Sequence, residues 1–516
     1  MFNRTIVKKN SYYDSVTLMS LGNKIKGKEN VNEVVVVMAT DMNKEILRRV
    51  GLATVETENA GVNDLIIGVQ AINEEDGQRA FEAVEENLTK KNDDYDATIK
   101  QEYKTVRHAI KDNSALNMAV ISVPGRYAAR EARTALNNGM NVMMFSDNVS
   151  IDDERSLKEL AVSKGLLMMG ADCGTAIINH VGLCFANCIR RGNIGMVGAS
   201  GTGMQEVLVQ IDHLGGGITQ AIGTGGRDLT REIGGTMMTF GIKALAADPK
   251  TEVIVLVSKP PEQSVLNSIF MLLEEIKKPV VVCFLDGEEK QNHGGHIHTC
   301  ANLLDAAKLA VKLAGVRSCD YVQKTTTLED QKTVVCASKK VLTVGQKNLR
   351  GLFCGGTLCA EALSVLRSRL GKIKSNVSHR RDEEMCGSDE CEGNVLLDMG
   401  DDYFTNGRPH PMIEPSLRNA SIEAQGFDKT VGVVLLDFEI GYGSHEDPVG
   451  VTLPAIRKAM DNAALDGRKL YFVTYVCGTE DDEQGLTEQQ EKLTAVGAIV
   501  CNSNFEAANL AADILE

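Results

Sequence analysis

Along most of this chain, short apolar runs alternate with longer stretches whose apolar positions recur every three to four residues. Such alternation predicts strand–helix–strand units built around parallel sheets. Residues 33–39 (EVVVVMA) and 64–69 predict strands, and 41–50 and 74–90 predict helices, the first opening on Asp41. Together they predict a small N-terminal α/β unit over 1–114, whose polar, charged tail from 91 reads as a linker and a solvated helix. From Leu116 the alternation is strict. A strand ending at Pro124-Gly125 leads to a helix over 126–138, a strand NVMMFSD, a helix over 151–164, and a strand LLMMG that runs into Ala171-Asp172-Cys173-Gly174. This predicts a Rossmann-like unit over 115–190. A third unit, 191–315, starts at the strand 194–197 and ends in a helix over 303–313. Residues 316–344 are polar and read as an interdomain linker. A fourth unit, 345–516, carries the strands VLLDMGDD, VGVVLLDF and LYFVTYVCG and closes on a helix over 505–515. The predicted class is α/β, with several doubly wound parallel-sheet domains.

Glycine loops mark the predicted strand ends. Strand 194–197 runs into Gly198-Ala-Ser-Gly-Thr-Gly203 before a helix, and a second strand ends in Gly223-Thr-Gly-Gly226. A helix start of this kind points backbone N–H groups at one spot and suits a phosphate or another compact anion. Ser200, Gly201, Thr202 and Gly203 are the candidate cradle, with Gly225, Gly226 and Arg227 as a second wall. The sequence also places Asp228 beside Arg227, which offers that guanidinium an ion pair instead. The strand-loop-helix start recurs at Cys354-Gly-Gly-Thr357, which adds Gly355, Gly356 and Thr357 to the anion-binding candidates and suggests two units of one kind. A third constellation is Asp398, at a predicted strand end, followed by Arg408 and His410 in NGRPHP. Arg408 has a fork matched to a planar carboxylate, and His410 has a ring that donates or accepts a proton.

Composition narrows the partners. The 516 residues are 43% hydrophobic and 24% charged, ordinary for a globular protein with a large core. The formal net charge is −15 at pH 7. An acidic surface argues against nucleic acid as the main partner. The start lacks an apolar signal segment, and no run is long enough to span a membrane, so a cytoplasmic location is expected. Thirteen scattered cysteines, many in apolar runs, read as buried thiols. Cys386 and Cys391 share a polar loop without a second Cys/His pair, so no metal site is expected.

Residues 116 to about 315 resemble the α subunit of succinyl-CoA synthetase: the strand ending in VPG, GADCGT, GNIGMVGASGTG and GTGGRDL occur in that family's order. The C-terminal unit resembles the last domain of that enzyme's β subunit. Across nearly the whole chain, VMMFSDNVSIDDE, GASGTGMQE, VSKPPE, GGTLCAEA and GRPHPMIEPSLRN are similar to the FdrA family. The resemblance implies a CoA-type Rossmann domain ahead of two flavodoxin-like ligase domains. FdrA-like proteins are usually labelled acyl-CoA synthetases by analogy. The FdrA resemblance also implies one subunit of a heteromeric oxamate carbamoyltransferase of allantoin breakdown, with two other subunits. That reaction converts oxalurate and phosphate into oxamate and carbamoyl phosphate, and needs no cofactor.

The synthetase resemblance implies a different chemistry, with CoA, a nucleotide and a phosphorylated histidine. His293 is its positional counterpart, but the flanking residues depart from the family's Gly-His-Ala-Gly-Ala pattern. Where the synthetase has a glutamate after the strand, this chain has Ser258-Lys259. A lysine does not support an imidazole that must become cationic. No GxxxxGK[ST] loop occurs either. The expected function is therefore the carbamoyltransferase subunit. The alternatives are an acyl-CoA ligase that uses His293 and a non-catalytic scaffold.

Overall fold

The computed structural model describes residues 2–9, 11, 13, 18, 21–22, 25–26, 30–90, 103–285, 295–316, 325–385, 392–405 and 408–516. His293, Cys386 and Cys391 lie outside the described residues. Two compact units emerge: 1–102 together with 407–409, and the remainder.

The first unit is an antiparallel sheet of three strands. Leu65–Ala71 lies in the centre, flanked by Phe2–Lys8 and Val31–Met38. Helices Asp41–Arg49 and Glu74–Lys90 accompany it. The strand Phe2–Lys8 is additional to the sequence expectation. Its apolar residues are interrupted by Asn3, Arg4 and Thr5, and as an edge strand it is only half-buried.

The second unit holds three sheets. Strands Met118–Ile121, Asn141–Met144 and Met168–Met169 form a short parallel sheet. A seven-stranded sheet has the order Ile297–Thr299, Val280–Phe284, Val253–Ser258, Arg191–Gly198, Ile218–Gly223, Thr175–Ile178, Val181–Cys184. It is parallel apart from the last two strands, which form a hairpin whose first strand runs antiparallel to Ile218–Gly223. The domain boundary expected at 190 therefore cuts through one sheet. Residues 175–184 pair forward with the next unit, because their backbone groups complete its edge. The third sheet, all parallel, has the order Ile373–Ser375, Asn394–Asp398, Asn348–Phe353, Val431–Glu439, Tyr471–Cys477, Ile499–Cys501.

One continuous core joins the two large sheets. Met196, Val255 and Val281 of one and Leu349, Val433 and Val473 of the other pack on a shared layer of helices. Helix Gly201–His213 is buried at every position from Gly203 to His213, the pattern of a helix enclosed on all sides. Helices Leu303–Leu313, Gly356–Leu370 and Asn504–Leu515 complete the layer. The linker expected over 316–344 is in part structural. Helix Leu328–Val341 is capped by Thr327 and docks Val334 and Val335 on this core, and the Ser338 hydroxyl donates to the Ile514 carbonyl at 3.1 Å. Its many charged residues hid a narrow apolar stripe.

The shared layer also buries carboxyls. Burial pushes Glu206 up to about 8, and Glu361 up to about 7. The folded state thus holds protons that the unfolded chain releases near the ordinary carboxylate range. The stability this contributes is complete at low pH and is lost as pH rises towards 8. Glu206→Gln is expected to remove part of that loss, on the order of 2–4 kcal/mol between pH 5 and 9. Parallel curves of urea midpoint against pH for parent and variant would refute it.

Candidate functional site

The loop Gly198–Gly203 follows strand Arg191–Gly198, and Ser200 caps the helix that begins at Gly201. Its hydroxyl accepts from the Gly203 N–H at 3.1 Å. The second loop, Cys354–Thr357, follows strand Asn348–Phe353 and opens helix Gly356–Leu370. The shared core brings the two helix starts together. Ser200 Oγ and Thr357 Oγ1 lie 2.6 Å apart, and the Thr357 N–H donates to Thr202 Oγ1 at 3.3 Å. The fit requires glycine at 203, where a Cβ would sit 2.8 Å from Thr357 Cγ2.

The two helix ends differ in charge. Beside Gly201 itself stand Gly174 and Thr175, both uncharged. A Cβ there would find Thr175 Oγ1 at 3.4 Å, and that hydroxyl, though buried, has no hydrogen-bond partner among the described residues. A phosphate oxygen suits this end, where a helix start and the orphaned Thr175 hydroxyl meet. The Gly356 end is instead ringed by acids. Asp437 accepts from the Cys354 and Gly355 N–H groups at 2.8 Å each, and a Cβ on Gly356 would collide with Asp398 Oδ2. An internal carboxylate thus already satisfies the Cys354 and Gly355 amides, which argues against a second anion on Gly355 and Gly356 as expected from their sequence. Thr357 joins the pair of helix ends through its hydroxyl and its N–H.

Asp398 does end its strand. Its N–H donates to Asn376 Oδ1 and its Oδ1 accepts from the Gly400 N–H, each at 2.9 Å. Burial pushes its carboxyl up to about 7, while the Lys259 charge pulls it back. Asp398 is thereby poised to exchange a proton near neutrality. Lys259 follows strand Val253–Ser258 and is half-buried. Burial pushes His410 down to about 4, so the ring is neutral. Its Nδ1 accepts from the Met412 N–H at 3.2 Å, which leaves the proton on Nε2, towards Gly400. In this state His410 is a donor and not a base. Arg408 is exposed and falls in the first compact unit, whereas Asp398 and His410 fall in the second.

The second wall is tied into the surrounding structure. Gly225 has φ +84°, and a Cβ there would collide with the Ala171 carbonyl; Gly226 is open, with Asp172 Oδ2 4.0 Å from its Cβ position. Arg227 pairs with Glu154 at 2.7 Å rather than with Asp228, and also donates to the Val149 carbonyl at 2.8 Å. Asp228 instead meets Lys158 Nζ at 2.7 Å and accepts from the Met237 and Met238 N–H groups at the start of helix Thr236–Ala247. Lys158 is completely buried and also reaches Glu154 at 2.8 Å and the Thr224 carbonyl at 2.9 Å. Arg227 is therefore part of an ion network with Glu154, Lys158 and Asp228.

Thr175, Asp437 and Glu439 were missed from sequence. Two acids at alternate positions of the otherwise apolar run VVLLDFE were the available signal, since buried charge in a strand demands a partner. Cys354, Asp437 and Glu439 lie close enough to share a metal ion. However, Arg418 Nη1 already contacts Cys354 Sγ, and Arg418 Nη2 lies 3.6 Å from Asp437 Oδ1, so a guanidinium supplies the positive charge there.

Three family models match the chain: "AllF, heavy metal-associated domain" over residues 1–105, "CoA binding domain" over 189–286 and "CoA-ligase" over 352–514. The first stretch contains neither cysteine nor histidine, so a thiolate or imidazole metal centre does not fit it. The α subunit of the ADP-forming succinate–CoA ligase of Staphylococcus epidermidis (strain ATCC 35984) is 24% identical over 46% of this chain and 78% of its own length. A subunit of the ADP-forming sulfoacetate-CoA ligase of Bilophila wadsworthia, SauD, is 25% identical over 38% of this chain and 70% of its own. Among solved structures, PH0766 from Pyrococcus horikoshii OT3 covers 80% of this chain and 86% of its own, at 14% identity and a TM-score of 0.29. The Escherichia coli K12 protein named "Uncharacterized protein YahF" is 43% identical over 99% of this chain and 98% of its own. At 43% identity over 99% of its length, the chain belongs to the family of YahF.

Proposed function

We propose that this chain is an enzyme subunit that moves an acyl group onto or off phosphate held at the paired helix starts. The observation that carries the reading is the meeting of Ser200, Thr202 and Thr357, with the orphaned Thr175 hydroxyl facing Gly201. Amides and hydroxyls there hold the phosphate and stabilise the oxyanion that forms when a phosphate oxygen attacks a carbonyl; the oxyanion collapses as the carbon's bond to the leaving thiol sulfur or amide nitrogen breaks and that atom takes a proton. Asp398, poised near neutrality, exchanges the proton, and neutral His410 donates a hydrogen bond.

The relatives named as CoA ligases favour an acyl-CoA ligase of the succinyl-CoA synthetase type. In that reading CoA supplies the thiol, a nucleotide supplies or receives the phosphoryl group, and His293 is the candidate carrier. A second reading, carbamoyl transfer between oxalurate and phosphate with two further subunits in the cytoplasm, rests on a specific observation. Lys259 stands where a phosphohistidine enzyme of this type has a glutamate, and its charge reaches Asp398 at the site. Direct attack by phosphate needs no phosphohistidine, and the match of residues 1–105 to the AllF model accords with the FdrA resemblance.

The test uses the chain purified with its co-purifying subunits. CoA- and nucleotide-dependent thioester formation from a dicarboxylic acid, with acid-labile phosphate on His293, supports the ligase. Carbamoyl phosphate from oxalurate and phosphate without nucleotide supports the transferase. Failure of both, together with no binding of inorganic phosphate, overturns the shared reading.

A further inference from the structure

Behind the Gly356 helix start lies a pair of acids with one clear role for only one of them. Asp437 holds the Cys354 and Gly355 N–H groups at 2.8 Å each. Glu439, two residues on, shares its face of strand Val431–Glu439. Its side chain is 2% exposed, and among the described residues no other residue's N–H donates to either carboxyl oxygen. What it faces is Asp437. Its position is also specific: a Cβ on Gly355 would lie 2.9 Å from Glu439 Oε1, 3.1 Å from Asp437 Oδ2 and 3.1 Å from Thr202 Cβ. Glu439 therefore stands where the Cys354–Gly355 turn meets the start of the other helix.

Two buried carboxylates side by side cannot both stay ionised at modest cost. Asp437 is the one whose oxygens are already held, by two amides and the Arg418 guanidinium. Glu439 is then the one that keeps a proton. Burial first, and the Asp437 charge second, push it well above the ordinary carboxylate range. The other charged or titratable groups that face Glu439 are Arg418 on helix Ser416–Gln425, Cys354 on the turn and Cys477 at the end of the neighbouring strand. Burial pushes both thiols up as well, so Arg418 is the one cation in the group.

We propose that Glu439 and Asp437 act as a proton-sharing pair that positions the Cys354–Gly355 turn, and with it the Gly356 helix start, against Thr202. Glu439 is a positioning residue: its O–H donates to Asp437, and Asp437 holds the turn. Loss of that proton places two negative charges behind the turn and loosens the Asp437–amide contacts. The helix starts then separate, and phosphate is held less well on the alkaline side. This deepens the reading of the paired helix starts as a phosphate site.

The experiment compares the parent with Glu439→Gln, which keeps shape and donor but cannot ionise. Amide hydrogen exchange of Cys354 and Gly355, corrected for intrinsic base catalysis, is followed from neutral to alkaline pH. Inorganic phosphate binding is followed by calorimetry over the same range. The expected result is a parent whose two amides lose protection at alkaline pH and a variant that stays protected, with a difference on the order of tenfold. Asp437→Asn, if it folds, is expected to lose protection at every pH. Coincident exchange profiles for parent and Glu439→Gln overturn the pair, whatever phosphate does. Divergent profiles without phosphate binding in either protein sustain the pair and overturn the phosphate reading alone.

Discussion

Lys158→Met is expected to destabilise the larger unit by about 3–5 kcal/mol. Lys158 is completely buried and neutralises Glu154 and Asp228, at 2.8 and 2.7 Å, while donating to the Thr224 carbonyl. Methionine matches its length but leaves two buried carboxylates with one cation, Arg227, which reaches Glu154 but is itself partly exposed. Asp228 would be left with only the Met237 and Met238 amides. The loss should appear in the urea midpoint of the protein. It should fall preferentially on the contact between helix Ile151–Ser163 and the 224–238 segment, read by amide exchange there. Asp228→Asn in the same background should recover part of the stability, since it removes one unpaired charge. A change below about 1 kcal/mol would mean that water reaches the network and screens it.

Gly203→Ala is expected to cost about a hundredfold in phosphate-dependent activity, with little change in the fold. The new methyl would lie 2.5 Å from Ser200 Oγ and 2.8 Å from Thr357 Cγ2, so one of them must move. Either movement breaks the 2.6 Å contact that ties the two helix starts together. Alanine itself is a better helix former than glycine, so a loss of activity cannot come from helix propensity. Ser200→Ala separates the effects: it removes the cap and the same contact but adds no bulk, at a stability cost of about 1 kcal/mol. Inorganic phosphate affinity, measured by calorimetry, should fall in both variants. Unchanged affinity in both would show that the helix junction is a packing feature without a ligand.

The local elements are written in the order of residues. Period-two and period-three-to-four patterns are set by which residues prefer burial, and this is why the main strands at 118, 194, 253, 280, 394, 431 and 471 and the glycine-loop helix starts were legible. Ser200 as an N-cap and the recurrence of the loop at 354–357 were likewise visible, because caps and tight turns are local choices. Where local signals were diluted, reading failed: Phe2–Lys8 is a polar-interrupted edge strand, and Leu328–Val341 hides its apolar stripe among charges.

Which groups meet depends on the packing of segments far apart in the chain. Residues 200 and 357 are 157 positions apart, and only the shared core of the two large sheets brings their hydroxyls together. That packing also decides which charges are spoken for. Arg227 looks free or paired to its neighbour in the sequence, yet Glu154, far back in the chain, takes it. Gly355 and Gly356 read as an anion loop, yet Asp437 and Asp398 arrive from other strands to fill its surroundings. Electrostatic roles depend on burial and on partners distant along the chain, and neither quantity is written in a local pattern.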